Sequence, residues 1–127
     1  MTEASEAGIS GIGQVAIRVS DLKAGIDFYQ DVLGLKFLMD IPSAAFFDCG
    51  GIRLMLTTPE EAEFDHPASI IYYRVGDIQE SYRELSRRGV AFVKEPHLLA
   101  RMPDHELWMA FFRDVSGNML ALMSEVR

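Results

Sequence analysis

The chain has 127 residues, 49% hydrophobic and 24% charged, the composition of one globular domain and not of a disordered segment. Its 12 Lys and Arg are outnumbered by 19 Asp and Glu, a formal net charge of −7, which argues against a nucleic-acid partner. No apolar run reaches the ~18 residues of a membrane span, no signal-peptide apolar stretch opens the chain, and a lone Cys49 excludes a disulfide framework, so a cytoplasmic protein without a membrane partner is expected.

Residues 1–11 read as a mobile leader. From Gln14 to Val19 the β-branched Val15, Ile17 and Val19 alternate with other residues, which predicts a strand. Ser20 or Asp21 can cap a helix carrying Leu22, Ile26, Tyr29 and Leu33 at helical spacing, and Gly34 stops it. Strands are expected at Phe37–Ile41, Ala45–Cys49 and Ile52–Thr57, the last two joined by Gly50-Gly51, a pair suited to a two-residue hairpin turn. Residues 59–68, acidic and bounded by Pro59 and Pro67, read as a solvated linker that includes His66.

The pattern then restarts. A strand is expected over Ile70–Val75, then a helix capped by Asp77, striped by Ile78, Tyr82 and Leu85 and stopped by Gly89. Further strands follow at Ala91–Lys94, Leu107–Arg113 and Met119–Met123. The segment from Val15 to Leu22 matches that from Ile71 to Ile78 at an offset of 56 residues, and Ala45-Phe46-Phe47-Asp48 matches Ala110-Phe111-Phe112-Arg113 at an offset of 65. The second copy therefore gains nine residues between Lys94 and Trp108, an insertion containing His97 and His105 and a natural place for function.

Two stretches carry a resemblance. Val15-Ala16-Ile17-Arg18-Val19-Ser20-Asp21-Leu22, with Phe28-Tyr29 and Leu33-Gly34-Leu35, resembles the opening of the vicinal oxygen chelate superfamily, which includes glyoxalase I, bleomycin-resistance proteins and extradiol dioxygenases. Phe111-Phe112-Arg113-Asp114, then Gly117-Asn118 and Leu120, resembles its closing signature. The resemblance covers roughly residues 12–125 and implies an α+β fold. Two βαβββ modules, 12–58 and 69–127 of a single domain, would form a half-open eight-stranded mixed β-barrel around a cavity, with the helices outside. It also implies a homodimer and a ligand site on the concave interior.

Members with a metal hold it through one side chain from the first and one from the last strand of each module. Carried over, those positions are Gln14, Met55, Ile70 and Ala121. Ile and Ala have no donor atom, a thioether suits hard cations poorly, and Gln14 is a neutral amide, so this metal site is degenerate. A slip of one residue brings Val15, Leu54 or Leu56, Ser69 or Ile71, and Leu120 or Leu122, none of which restores it. An unorthodox set of Gln14, His97, His105 and Glu106 could hold Zn, Ni, Mn or Fe. The same residues also read as polar loop residues bonded to backbone.

Strand parity puts Gln14, Ala16 and Arg18 on the face opposite the helix-packing Val15, Ile17 and Val19. By the same count the cavity lining contains Arg53, Met55, Ile70, Tyr72, Arg74, Ala121 and Met123, with His97 from the insertion and Phe47 and Trp108 as walls. Arg18, Arg53 and Arg74 could attract an anion, or pair with Asp48 or Asp114 near the strand ends. Tyr72 and His97 are the groups able to move a proton, and no nucleophile–base pair is fixed by spacing. The expected function is binding of a small organic molecule in the cavity without a metal cofactor, and whether a reaction is catalysed stays open. The alternatives are a metal-dependent lyase, isomerase or dioxygenase using the unorthodox set, and a structural module without a ligand.

Overall fold

The computed structural model describes residues 7–59, 65, 67 and 69–127. Most of the expected linker, His66 and the first half of the leader lie outside these residues.

The first module runs β1 (Gln14–Arg18), α1 (Leu22–Asp27), a π-helical turn (Phe28–Val32), β2 (Lys36–Ile41), β3 (Ala44–Cys49) and β4 (Ile52–Thr57). The second runs β5 (Ile71–Arg74), α2 (Ile78–Arg87), β6 (Phe92–Arg101), β7 (Glu106–Arg113) and β8 (Met119–Val126). Each folds into a four-stranded mixed sheet, in the orders β1-β4-β3-β2 and β5-β8-β7-β6, with β1–β4 and β5–β8 parallel. This is the α+β arrangement of two βαβββ units. Among the described residues the sheets stay separate and share no ladder, so the barrel is half-open. Among the described residues no helix is long and apolar enough to cross a membrane.

Local chemistry accounts for the elements. The carboxylates of Asp21 and Asp77 accept from the Ala24 and Glu80 amides, capping α1 and α2. Gly50 and Gly51 both take positive φ, 61° and 91°, as a tight hairpin turn requires, and the turn fixes Cys49 opposite Ile52. Gly25 lets α1 lie close on β4: a Cβ there would stand 3.2 Å from Leu56 Cδ1 and 3.4 Å from Val19 Cγ1.

Two expectations are corrected. The first helix widens after Asp27 into a π turn, in which the Leu33 amide reaches back to the Phe28 carbonyl at 3.0 Å. The widened turn accompanies the burial of Phe28 and Tyr29 together. The inserted stretch is not a separate loop. Residues up to Arg101 continue β6, paired with β7 through three register irregularities, and only residues 102–105 turn. Pro96 sits at the irregularity between Lys94 and His97 on this outer strand, where its missing N–H costs no ladder bond.

One apolar core spans both modules. Ile17, Leu54 and Leu56 from the first and Phe112, Leu120 and Leu122 from the second are buried in it, on the helix-packed faces of their sheets. The modules are also joined by polar contacts. The buried Tyr29 hydroxyl donates to Asp114 at 2.6 Å, Asn118 Nδ2 donates to the Arg18 carbonyl at 2.7 Å, the Ser20 amide donates to the Ser116 hydroxyl, and Arg88 donates to the Val32 carbonyl.

Candidate ligand site

The ladder registers decide which side chains share a face, because residues directly opposite project to the same side. In the first module Gln14 is level with Arg53, which is level with Asp48, and Ala16 is level with Met55 and Phe46. These residues occupy the face away from α1. Arg53 Nε donates to Gln14 Oε1 at 2.8 Å, its guanidinium carbon lies 5.6 Å from the centre of the Phe46 ring, and Gln14 Nε2 points at Met55 Sδ across 3.8 Å. The result is an exposed cation braced by an amide and an aromatic face.

In the second module Tyr72 is level with Ala121 and Phe111, and Arg74 with Met123, Met109 and His97. The Tyr72 and Phe111 rings meet edge to face at 6.1 Å, and the His97 ring stacks on Phe111 at 6.3 Å. His97 Nδ1 is engaged by the Glu95 carbonyl at 2.8 Å. The three rings form an aromatic shelf. Tyr72 is 43% exposed and Ile70 42%, while Ala121, flanked on the ladder by the two rings, is fully buried.

The registers thus put Gln14, Arg53, Met55, Tyr72, His97, Ala121 and Met123 on the helix-free faces. Ile70 lies just before β5. They put Phe47 and Trp108 on the opposite faces. Phe47 is level with Leu54, fully buried, and packed on Tyr29 and Phe37. Trp108 shares parity with the buried Ala110 and Phe112, and its Nε1 donates to Glu106 Oε1 at 3.0 Å. The walls are instead Phe46 and Phe111. Both were readable in the sequence, because a two-residue turn at Gly50-Gly51 sets Phe46 level with Met55, and the repeat maps Phe46 onto Phe111.

The arginines also find partners other than those expected. Arg18 pairs with Asp65 and Arg53 with Gln14. Asp114 is buried and accepts from Tyr29, Ser116 and Asn118 instead. Burial, then the charge and hydrogen bond of Asp114, push the Tyr29 phenol far up. Burial first, then Asp48, raises the Cys49 thiol, so a smaller share of it is thiolate than in a free cysteine at the same pH.

The donor set does not fit a metal. Gln14 Oε1, the one candidate oxygen among the four positions, already accepts from a guanidinium whose charge would repel a cation. Met55 stands diagonally next to Gln14 in the register, and Ile70 bears the same relation to Ala121, so the four positions correspond between modules. The unorthodox residues are dispersed. His97 stacks on Phe111, His105 Nδ1 pairs with Asp104 at 2.7 Å, and Glu106 projects to the other face of β7, held by Arg101 and Trp108. Among the described residues no group of three or more His, Cys, Asp or Glu could hold a metal ion.

The sequence profile of the glyoxalase/bleomycin resistance protein/dioxygenase superfamily matches residues 11–122. The chain belongs to this superfamily. It is 40% identical over 119 residues to the metallothiol transferase FosB of Staphylococcus haemolyticus, an alignment covering 90% of this chain and 83% of FosB. It is 26% identical over 126 residues to the uncharacterized protein YraH of Bacillus subtilis, covering 86% and 94%. A superfamily member from Sphaerobacter thermophilus superposes with a TM-score of 0.76 at 28% identity over 93% of this chain and 99% of that one. TnmS3, an antibiotic binding protein from a Streptomyces species, shares the fold with a TM-score of 0.75 at 24% identity, over 92% and 97%. In the superfamily fold the residues that carry the sequence resemblance have a structural task here: Tyr29 and Asp114, one from each signature, bond to each other across the modules.

Proposed function

We propose that this protein binds a small organic molecule on the helix-free faces of its sheets, without a metal ion. The observation that carries the reading is the chemistry at the four positions where relatives with a metal place ligands. One is an amide bonded to Arg53, one a thioether, one an exposed isoleucine, and one a methyl buried beside Tyr72 and Phe111. What these faces offer instead is an aromatic shelf, the methionines Met55, Met109 and Met123, which adapt to varied shapes, and the braced cation of Arg53. Together they suit a planar or apolar compound with a polar group.

The working unit of this reading is a homodimer. Among the described residues the two sheets share no ladder within one chain, and Tyr72 and Ile70 stand exposed, so a second copy would be needed to cover each face. A second reading, a metallothiol transferase activity, is favoured by the 40% identity to FosB. It requires a metal, which the residues at hand do not fit.

A thermal-shift screen of small organic compounds, run with and without EDTA, separates the two. Compounds that raise the melting temperature equally in both conditions, and lose the effect in Tyr72→Ala and Arg53→Ala, support metal-free binding. Near-stoichiometric Mn, Fe, Ni or Zn retained after dialysis, together with metal-dependent thiol transfer, would overturn it in favour of the second reading.

A further inference from the structure

A cavity of about 890 Å³ lies between the two modules and meets the helix-free face of the second sheet along β5. Val15, Leu35 and Leu54 of the first module and Ile71, Phe112 and Leu122 of the second form its apolar wall. The strand residues among them have the opposite parity to Gln14, Met55, Phe111 and Ala121, so this space reaches the other side of the sheets, while Tyr72 and Arg74 border it from the helix-free side of β5. All five residues from Ile71 to Val75 line it, which an edge strand does when it is presented side-on, with its outer amides and carbonyls unpaired by the sheet.

The charges along the wall leave one valence open. Glu84 is taken by Arg87 and Arg88, Glu80 by Arg83, and Arg88 also donates to the Val32 carbonyl. Arg74 lines the cavity with no ion pair or hydrogen bond from its side chain among the described residues. The wall also contains Tyr73, whose buried hydroxyl has no hydrogen-bond partner among the described residues, and the Cys49 thiol. A pocket of this size with apolar walls and few polar groups has the makeup of a small-molecule site. A single unmatched cation selects for one negative charge on the occupant.

We propose that this intermodule cavity is a second binding site, one that takes an amphipathic monocarboxylate with its apolar body between the modules and its carboxylate on Arg74. The site adjoins the helix-free face at Tyr72, and its test therefore uses Arg74, Ile52 and Cys49, which the test of the helix-free-face reading does not change.

Cys49 makes the test direct, because it is the only cysteine in the chain and lines the cavity. The intact protein is treated with N-phenylmaleimide, and alkylation of Cys49 is followed by mass spectrometry with dodecanoate or dodecanol present below their aggregation concentrations. Saturating dodecanoate is expected to slow alkylation at least about tenfold, and dodecanol to bind about tenfold more weakly by calorimetry. Arg74→Gln should erase that preference for the acid while leaving protection by the alcohol. Ile52→Trp, on the cavity wall, should abolish protection by both, and Arg53→Ala should change neither. Unprotected Cys49, or an acid preference that survives Arg74→Gln, overturns the proposal. So does a Cys49 that resists alkylation in the free protein and becomes reactive only on dilution, since the cavity would then belong to a second copy.

Discussion

Replacing Tyr29 with Phe asks whether the joint between the modules depends on one hydrogen bond or on packing alone. The change keeps the ring, with its contacts to Phe28 at 5.5 Å and Phe47 at 6.1 Å, and deletes only the hydroxyl that donates to Asp114. A hydrogen bond to a charged acceptor contributes about 1.5–3 kcal/mol. Asp114 keeps the Ser116 amide and both the amide and the Nδ2 of Asn118 as donors, so its buried charge is not left bare. The loss should therefore fall near the lower end, about 2 kcal/mol. Asp114→Ala removes the acceptor from all four donors at once and should cost about 3–5 kcal/mol. Urea unfolding followed by circular dichroism reads both. The midpoint should fall with an unchanged slope, because the surface exposed on unfolding is the same. A loss below about 0.5 kcal/mol for Tyr29→Phe, the size of an ordinary surface substitution, would refute the assignment of the joint to this bond.

Three further outcomes are expected. Tyr29 and Tyr73 hold their phenol protons far above the usual value near 10, chiefly through burial, while the unfolded chain releases them there. The folded state then binds more protons, so the stability they supply is intact below about pH 10 and falls above it by about 1.4 kcal/mol per pH unit for each tyrosine. Alkaline unfolding curves should show this slope halved in Tyr73→Phe, and an unchanged slope would discount burial as the cause. At neutral pH the same Tyr73→Phe variant removes a buried donor that has no partner among the described residues, so thermal unfolding should find it about 1 kcal/mol more stable than the parent. A less stable variant would reveal a hidden acceptor. Gly25→Ala gains about 1 kcal/mol of helix propensity but forces a methyl against Leu56 and Val19, both too deeply buried to yield, and should lose about 1 kcal/mol overall in denaturant unfolding. A net gain would mean that α1 can lift off β4.

Much of this fold was legible because two periodicities repeat. Alternation set the faces of β1 and β5, and glycines with positive φ mark the ends of both helices and the hairpin turn. The π turn was not legible, since Leu22, Ile26, Tyr29 and Leu33 fit a regular helix equally well. The added residues of β6 were missed because Pro96 reads as a strand breaker, and only the pairing with β7 shows that it falls at an irregularity. At the site the errors were of parity. Phe46 and Phe47 are adjacent aromatics, and hydrophobicity does not say which one joins the core. The register carried from Gly50-Gly51 does say it. The orphan hydroxyl of Tyr73 and the open valence of Arg74 had no sequence signal at all, because each depends on what distant elements bring near it.

The bond between Tyr29 and Asp114, with those from Asn118 to Arg18 and from Arg88 to Val32, means that the halves recognise each other without relying on the peptide that connects them. A chain cut between β4 and β5 would still present matching surfaces. Its two pieces, expressed separately and mixed, should reassemble into one native particle, each supplying the half of the core that the other lacks. Such complementation would make this protein a split reporter in which Tyr29→Phe tunes the strength of reassembly.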